Sequence, residues 1–161
     1  MAYFGKRPND GLPNPFQHCP MTAYLALRKS NSPGLAGLFS RYTRWRLHTQ
    51  FPHSGVVVGD TLFHSTMKSG VHSVKFENNG EWVLFPTQIS CEKVLERFEF
   101  VKGTHYDWRG LLAFIVPFRT DLGKWLFCYE LAHLLLKGER PTELVTPETL
   151  LCEIFYAEKR D

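Results

Sequence analysis

The segment His53-Ser-Gly-Val-Val-Val-Gly-Asp-Thr-Leu-Phe-His-Ser65 constrains the fold more than any other stretch of this chain. Two strand-like runs, Val56–Val58 and Thr61–Ser65, flank Gly59-Asp60, a pair suited to a two-residue hairpin turn. Such a turn pairs Val58 with Thr61, which sets His64 opposite Gly55 and His53 opposite Thr66. Side chains alternate along a strand, so His53, Gly55 and His64 share one face. The two imidazoles are then diagonal neighbours, with backbones about 7–8 Å apart, close enough for leaning rings to meet. Gly55 is expected to leave open space across from His64. One histidine can then hold the tautomer of the other, whose second ring nitrogen faces a substrate. A three-residue turn would send His64 to the opposite face. His72, on the next strand, reads as a surface position.

The remaining pattern is that of one α+β domain spanning residues 1–161. Residues 1–20, rich in proline, glycine and asparagine, read as an irregular arm. Met21–Ser30 has the composition of a short helix. Leu35–His48 is also helical, with Leu35, Leu38, Phe39, Tyr42 and Trp45 as its inward stripe and Arg41, Arg44 and Arg46 on a solvated side. Val71–Phe76 and Glu81–Phe85 read as a second hairpin around Asn78-Asn79-Gly80. The alternating Arg97–Val101 reads as a fifth strand. Residues 106–115 read as a helix, and Leu126–Lys137 as a stronger one ended by Gly138 and Pro141. Thr146-Pro147-Glu148 has the form of a helix start. The expected architecture is an antiparallel sheet of about five strands packed against helices.

Cys128 lies at the start of the helical run Phe127-Cys-Tyr-Glu-Leu-Ala-His-Leu-Leu-Leu136. In a first helical turn the unpaired N–H groups and the macrodipole favour a thiolate, so a depressed pKa and rapid alkylation are expected of it. The same N–H groups suit an oxyanion. Leu131, Leu134 and Leu135 would anchor the helix, and the Val56–Val58 strand offers the apolar surface to receive them. The helix is therefore expected on the sheet face that carries His53, Gly55 and His64, its first turn at the start of that strand. Cys19, in His18-Cys-Pro20, is the rival nucleophile, but a proline-rich arm holds a sulfur poorly. Cys91 and Cys152 carry no chemical signal.

Composition removes other classes. The net charge of +3 is too mild for a nucleic-acid interface. No apolar run is long enough to span a membrane, and no apolar leader follows Met1, so synthesis in a cytoplasm without a signal peptide is expected. The four cysteines are scattered without Cys-x-x-Cys spacing, which argues against a zinc site or a redox pair. No metal or cofactor is expected.

Phe51-Pro-His-Ser-Gly-Val-Val-Val-Gly-Asp60 followed by Leu62-Phe-His64 resembles the His-x-Gly strand and following polar residue of the NlpC-type papain-like hydrolases. Histidines placed before a Trp-x-Phe-Cys-x-Glu helix resemble the circularly permuted branch of that superfamily. Ser40-Arg-Tyr-Thr-Arg-Trp-Arg46, Gly70-Val71 and Tyr106-Asp-Trp-Arg-Gly110 also fit it, so the resemblance covers roughly residues 40–137. It implies a papain-like fold with Cys128 as nucleophile, His53 as base and His64 as third polar residue. Tyr129 departs from it, because serine commonly follows the cysteine in this group. Relatives act, or are presumed to act, on amide bonds of cell-wall peptides, and others are lipid acyltransferases. The expected activity is thus amide hydrolysis through an acyl-enzyme, on peptidoglycan stem peptides as an endopeptidase or amidase. A phage-encoded, tail- or virion-associated enzyme would meet such a substrate without a signal peptide. The alternatives are a catalytically silent papain-like module of a larger phage-tail assembly and a lipid or thioester acyl hydrolase.

Overall fold

The computed structural model describes residues 22–29, 35–107 and 126–157. The proposed arm, with Cys19, and all but Tyr106 and Asp107 of the helix expected over 106–115 lie outside the described residues. Five antiparallel strands form one sheet: β1 (Tyr24–Arg28), β2 (His53–Val58), β3 (Thr61–Thr66), β4 (Gly70–Lys75) and β5 (Trp82–Pro86), in the order β4-β3-β2-β1-β5. Four helices accompany it among the described residues: α1 (Leu35–Leu47), α2 (Cys91–Val101), α3 (Cys128–Lys137) and α4 (Pro147–Ala157). This is an α+β architecture. None of these helices is long and apolar enough to cross a membrane.

The histidine hairpin forms in the expected register, with Val58 opposite Thr61 and Gly55 opposite His64. Other segments differ from expectation for physical reasons. Tyr24–Arg28 is a strand, not a helix. Its five residues hydrogen-bond β2 on one side and β5 on the other, and Leu25, Ala26 and Leu27 are buried on both faces. Pairing on two edges overrides the modest helix propensity of Leu and Ala. The strands on either side of Asn78-Asn79-Gly80 exist, but they do not pair with each other. β4 lies at one edge beside β3 and β5 at the other beside β1. Asn78 and Asn79 cap the turn by accepting from the N–H groups of Gly80 and Glu81, and the chain then crosses to the far edge. Arg97–Val101 is the last part of α2. Cys91, Val94, Phe98 and Val101 recur at helical spacing and are all buried, so the local alternation of Phe98 and Phe100 was a fragment of a longer period.

Alternation divides the sheet into two faces. Leu25, Leu27, Val56, Val58, Phe63 and Val71 join Val94, Phe98, Leu131 and Leu135 in the main core. Ala26, Val57 and Leu62 form a smaller cluster on the other face, with Tyr24, Trp82 and Leu84 against it. Helix α3 covers the first face. Its fully buried Leu131 and Leu135 are each worth about 2 kcal/mol of apolar burial. The expected docking of α3 on the face of His53, Gly55 and His64 is therefore incorrect. Val56 and Val58 do receive the leucines, but with period two they stand on the opposite face from those three residues.

Helix α1 departs from its expected orientation at two positions of the stripe. Leu38 and Trp45, assigned inward, are 60% and 69% exposed, while Gly37, Ser40 and Thr43 turn inward. Ser40 and Thr43 line the cavity described next, while Leu47, at the end of the helix, packs against the main core.

Candidate active site

A cavity of about 240 Å³ lies over the ends of β1, β2 and β3, with Arg28, His53, Thr66, Trp82, Tyr106 and Cys128 among its walls. His53 enters as the first residue of β2, and Cys128 as the first residue of α3. Two contacts place the first turn of α3 at the start of β2. Tyr129 donates its phenolic hydrogen to the Phe51 carbonyl. Ser65 of β3 donates to the carbonyl of Leu126, at 2.7 Å, just ahead of the helix. Cys128 and His53 approach the cavity from opposite faces of the sheet, around the end of the strand. Both candidate residues, and His64 with them, thus border one space.

The histidines make a chain. His53 Nε2 lies 3.1 Å from His64 Nδ1, and His64 Nε2 lies 3.1 Å from His72 Nε2. His72 Nδ1 ends the chain 2.9 Å from the Gly70 carbonyl oxygen. The expectation of a surface position for His72 is corrected by this contact: it pairs directly across from His64 on β4. The missed signal was its place one strand beyond His64, which could be read only once the β3–β4 register was known. The imidazoles run ring to ring, and among the described residues no three His, Cys, Asp or Glu side chains converge to hold a metal ion.

Gly55 does not leave open space. A Cβ there would lie 2.7 Å from both the Phe63 carbonyl and a Leu62 methyl, so glycine is what lets β3 come close. On the other flank Trp82 packs edge-on to His53, with centroids 5.8 Å apart. Arg28 stands 6.0 Å over the Trp82 ring and holds Glu81 at 2.7 Å.

Burial sets the electrostatics. It pushes the His53 pKa down to about 3, aided by the neighbouring His64 and Arg28. Burial likewise pushes His64 down to about 4, aided by His72 and then Arg28. Both rings are neutral at pH 7. Cys128 is 4% exposed, and burial pushes its thiol up to about 11. The expected depression of its pKa is thus reversed, because desolvation outweighs every donor present. Those donors are the N–H groups of Ser54, Cys128 and Tyr129 with the Ser54 hydroxyl, all of which favour the thiolate. The hydroxyl itself is buried and makes no hydrogen bond of ordinary geometry among the described residues. Tyr106 is also held far above its ordinary pKa, by burial first and then by Cys128.

Compared with protein-family models, with curated proteins and with solved structures, the chain matches none.

Proposed function

We propose that this chain is a papain-like cysteine hydrolase of the circularly permuted NlpC type, cleaving an amide through a Cys128 acyl-enzyme. The observation that carries the reading is the common cavity. Cys128, at the start of α3, and the His53–His64 pair of the hairpin border the same space, although 75 sequence positions separate Cys128 from His53. Cys91 and Cys152 are not among the residues lining it.

The neutral resting pair dictates the order of events. A thiolate does not stand ready, so the sulfur loses its proton as it attacks the carbonyl carbon, and His53 takes that proton as general base. The oxyanion of the tetrahedral intermediate accepts from N–H groups that surround the sulfur, those of Cys128 and Ser54 being the nearest candidates. The imidazolium then protonates the leaving amine, and water, deprotonated by His53, releases the acyl group. Peptidoglycan stem peptide is the proposed substrate, with delivery by a phage tail or virion as the proposed route. The test is mass spectrometry of cell-wall fragments after incubation with wild type and with Cys128→Ala. Cleaved stem peptides from wild type alone support the reading; identical fragment sets overturn it.

A second reading, a catalytically silent papain-like module of a larger assembly, is favoured by one observation, the buried sulfur with its raised pKa. A peptide bearing a thiol-reactive electrophile separates the two. An active enzyme couples it to Cys128, whereas a silent module leaves it free.

A further inference from the structure

The polar groups bonded to the histidine chain permit one arrangement of protons when all three rings are neutral. The Gly70 carbonyl can only accept, so His72 must carry its hydrogen on Nδ1. A neutral His72 then has a bare Nε2, which can only accept, and His64 must donate to it from its own Nε2. His64 Nδ1 is bare in turn, so His53 donates from Nε2. What remains is His53 Nδ1 as a free lone pair, and among the described residues this nitrogen makes no hydrogen bond.

We infer that His72 is a positioning residue that, anchored on the Gly70 carbonyl, fixes the tautomers of His64 and His53 and leaves His53 Nδ1 as the basic nitrogen. The inference rests on the reading of His53 as the base, yet its chemistry stands in the ground state and is observable without turnover. The anchor is well held. Gly70 has φ +64°, a Cβ there would lie 2.2 Å from the Thr104 carbonyl oxygen, and the Val71 N–H donates to that same oxygen at 2.8 Å. The carbonyl that sets the chain is thus fixed by the β4 entry and not by the histidines themselves. Without His72, His64 Nε2 faces no acceptor among the described residues. The reversed arrangement then competes, with His64 Nδ1–H donating to His53 Nε2 and a hydrogen on His53 Nδ1, which makes that nitrogen useless as a base.

The primary test is long-range ¹H–¹⁵N correlation NMR of the full-length protein labelled on its histidine rings, at pH 7.5. The expected result is hydrogen on Nδ1 of His72 and on Nε2 of His64 and His53. Hydrogen on Nδ1 is the less populated tautomer of free histidine, so its presence on His72 is no default. Hydrogen on Nε2 of His72, or on Nδ1 of His53, would overturn the inference whether or not the protein hydrolyses anything. The second test compares His72→Phe with His72→Gln, whose amide oxygen can again accept from His64. His72→Phe should admit the Nδ1–H form of His53, and His72→Gln should restore the Nε2–H form. If wild type turns over a substrate, kcat should fall about tenfold in His72→Phe with KM held, and recover in His72→Gln. A His53 tautomer unchanged in His72→Phe would also overturn it.

Discussion

Tyr129, next to Cys128 in the first turn of α3, hydrogen-bonds the carbonyl of Phe51, two residues before His53. The residue beside the candidate nucleophile is thereby tied to the segment that leads into the candidate base. A serine at this position would have too short a side chain to span the same gap. Tyr129 thus acts as a brace between the first turn of α3 and the entry to β2.

Tyr129→Phe should therefore weaken both stability and the site. The part-buried Phe51 carbonyl loses its donor while the ring still packs, at a cost of about 0.5–1.5 kcal/mol. Chemical denaturation should show this loss with the fold retained. Under the proposed function kcat should fall more than KM rises, because spacing and not binding is disturbed. A variant of unchanged stability would show that the brace carries no energy.

Alkylation should run in the order of exposure, not of helix position. Cys152 is exposed, whereas Cys91 and Cys128 are buried. With its thiol pushed up to about 11, Cys128 should react with iodoacetamide more slowly than Cys152 at pH 7.5, and faster as the pH rises toward 11. Peptide mapping after a short pulse reads the order. Cys128 labelled first at neutral pH would mean that a thiolate exists before substrate arrives.

Acid should destabilise the protein through its histidines before the carboxylates titrate. His53 and His64 have folded-state pKa values pushed down to about 3 and about 4, against 6.5 for the free group. Below pH 6.5 the unfolded chain binds protons that the native rings refuse. Their effect is absent above that pH and grows as the pH falls toward 4. Each such histidine has a limiting slope of about 1.4 kcal/mol per pH unit. Urea midpoints from pH 7 to 4.5 should fall more steeply for wild type than for His53→Gln. Parallel curves would mean that His53 is protonated in the folded protein near its ordinary pKa.

The parts of this site that were legible in sequence are those fixed by short-range geometry. Gly59-Asp60 sets the turn, the turn sets the register, and the register brings His53 to His64 without any knowledge of the rest. Helix α4 is likewise announced by Thr146, whose hydroxyl accepts from the Thr149 N–H at 3.2 Å. What could not be read depends on partners distant in sequence. β1 is a strand because β2 and β5 hydrogen-bond its two edges, and nothing within Tyr24–Arg28 states that. His72 joins the chain through the β3–β4 pairing, and the Cys128 pKa follows from a burial that composition does not reveal. The face that receives α3 is legible in the strand period alone. Val56 and Val58 already stand out of phase with His53 and Gly55, so the face that takes the leucines cannot be the face of the histidines.

Gly55 and Gly70 hold the histidine chain from its two sides, and their replacement by alanine should fail in distinguishable ways. At Gly55 the backbone is ordinary and the obstacle is contact: the new methyl would lie 2.7 Å from the Phe63 carbonyl oxygen and 3.1 Å from the His64 Cβ. β3 must move outward, at a cost of about 1–3 kcal/mol, and His64 moves with it. At Gly70 the obstacle is double. Its φ of +64° strains any L residue, and the methyl would lie 2.2 Å from the Thr104 carbonyl oxygen, part of a backbone that cannot swing aside. Gly70→Ala should therefore cost more than Gly55→Ala, about 2 kcal/mol or above, and should shift the carbonyl to which His72 donates. In ring-labelled NMR spectra Gly70→Ala should change His72 first, whereas Gly55→Ala should change His64 and His53 first. Equal stabilities together with unchanged imidazole signals in both variants would refute the close strand packing from which the whole site is built.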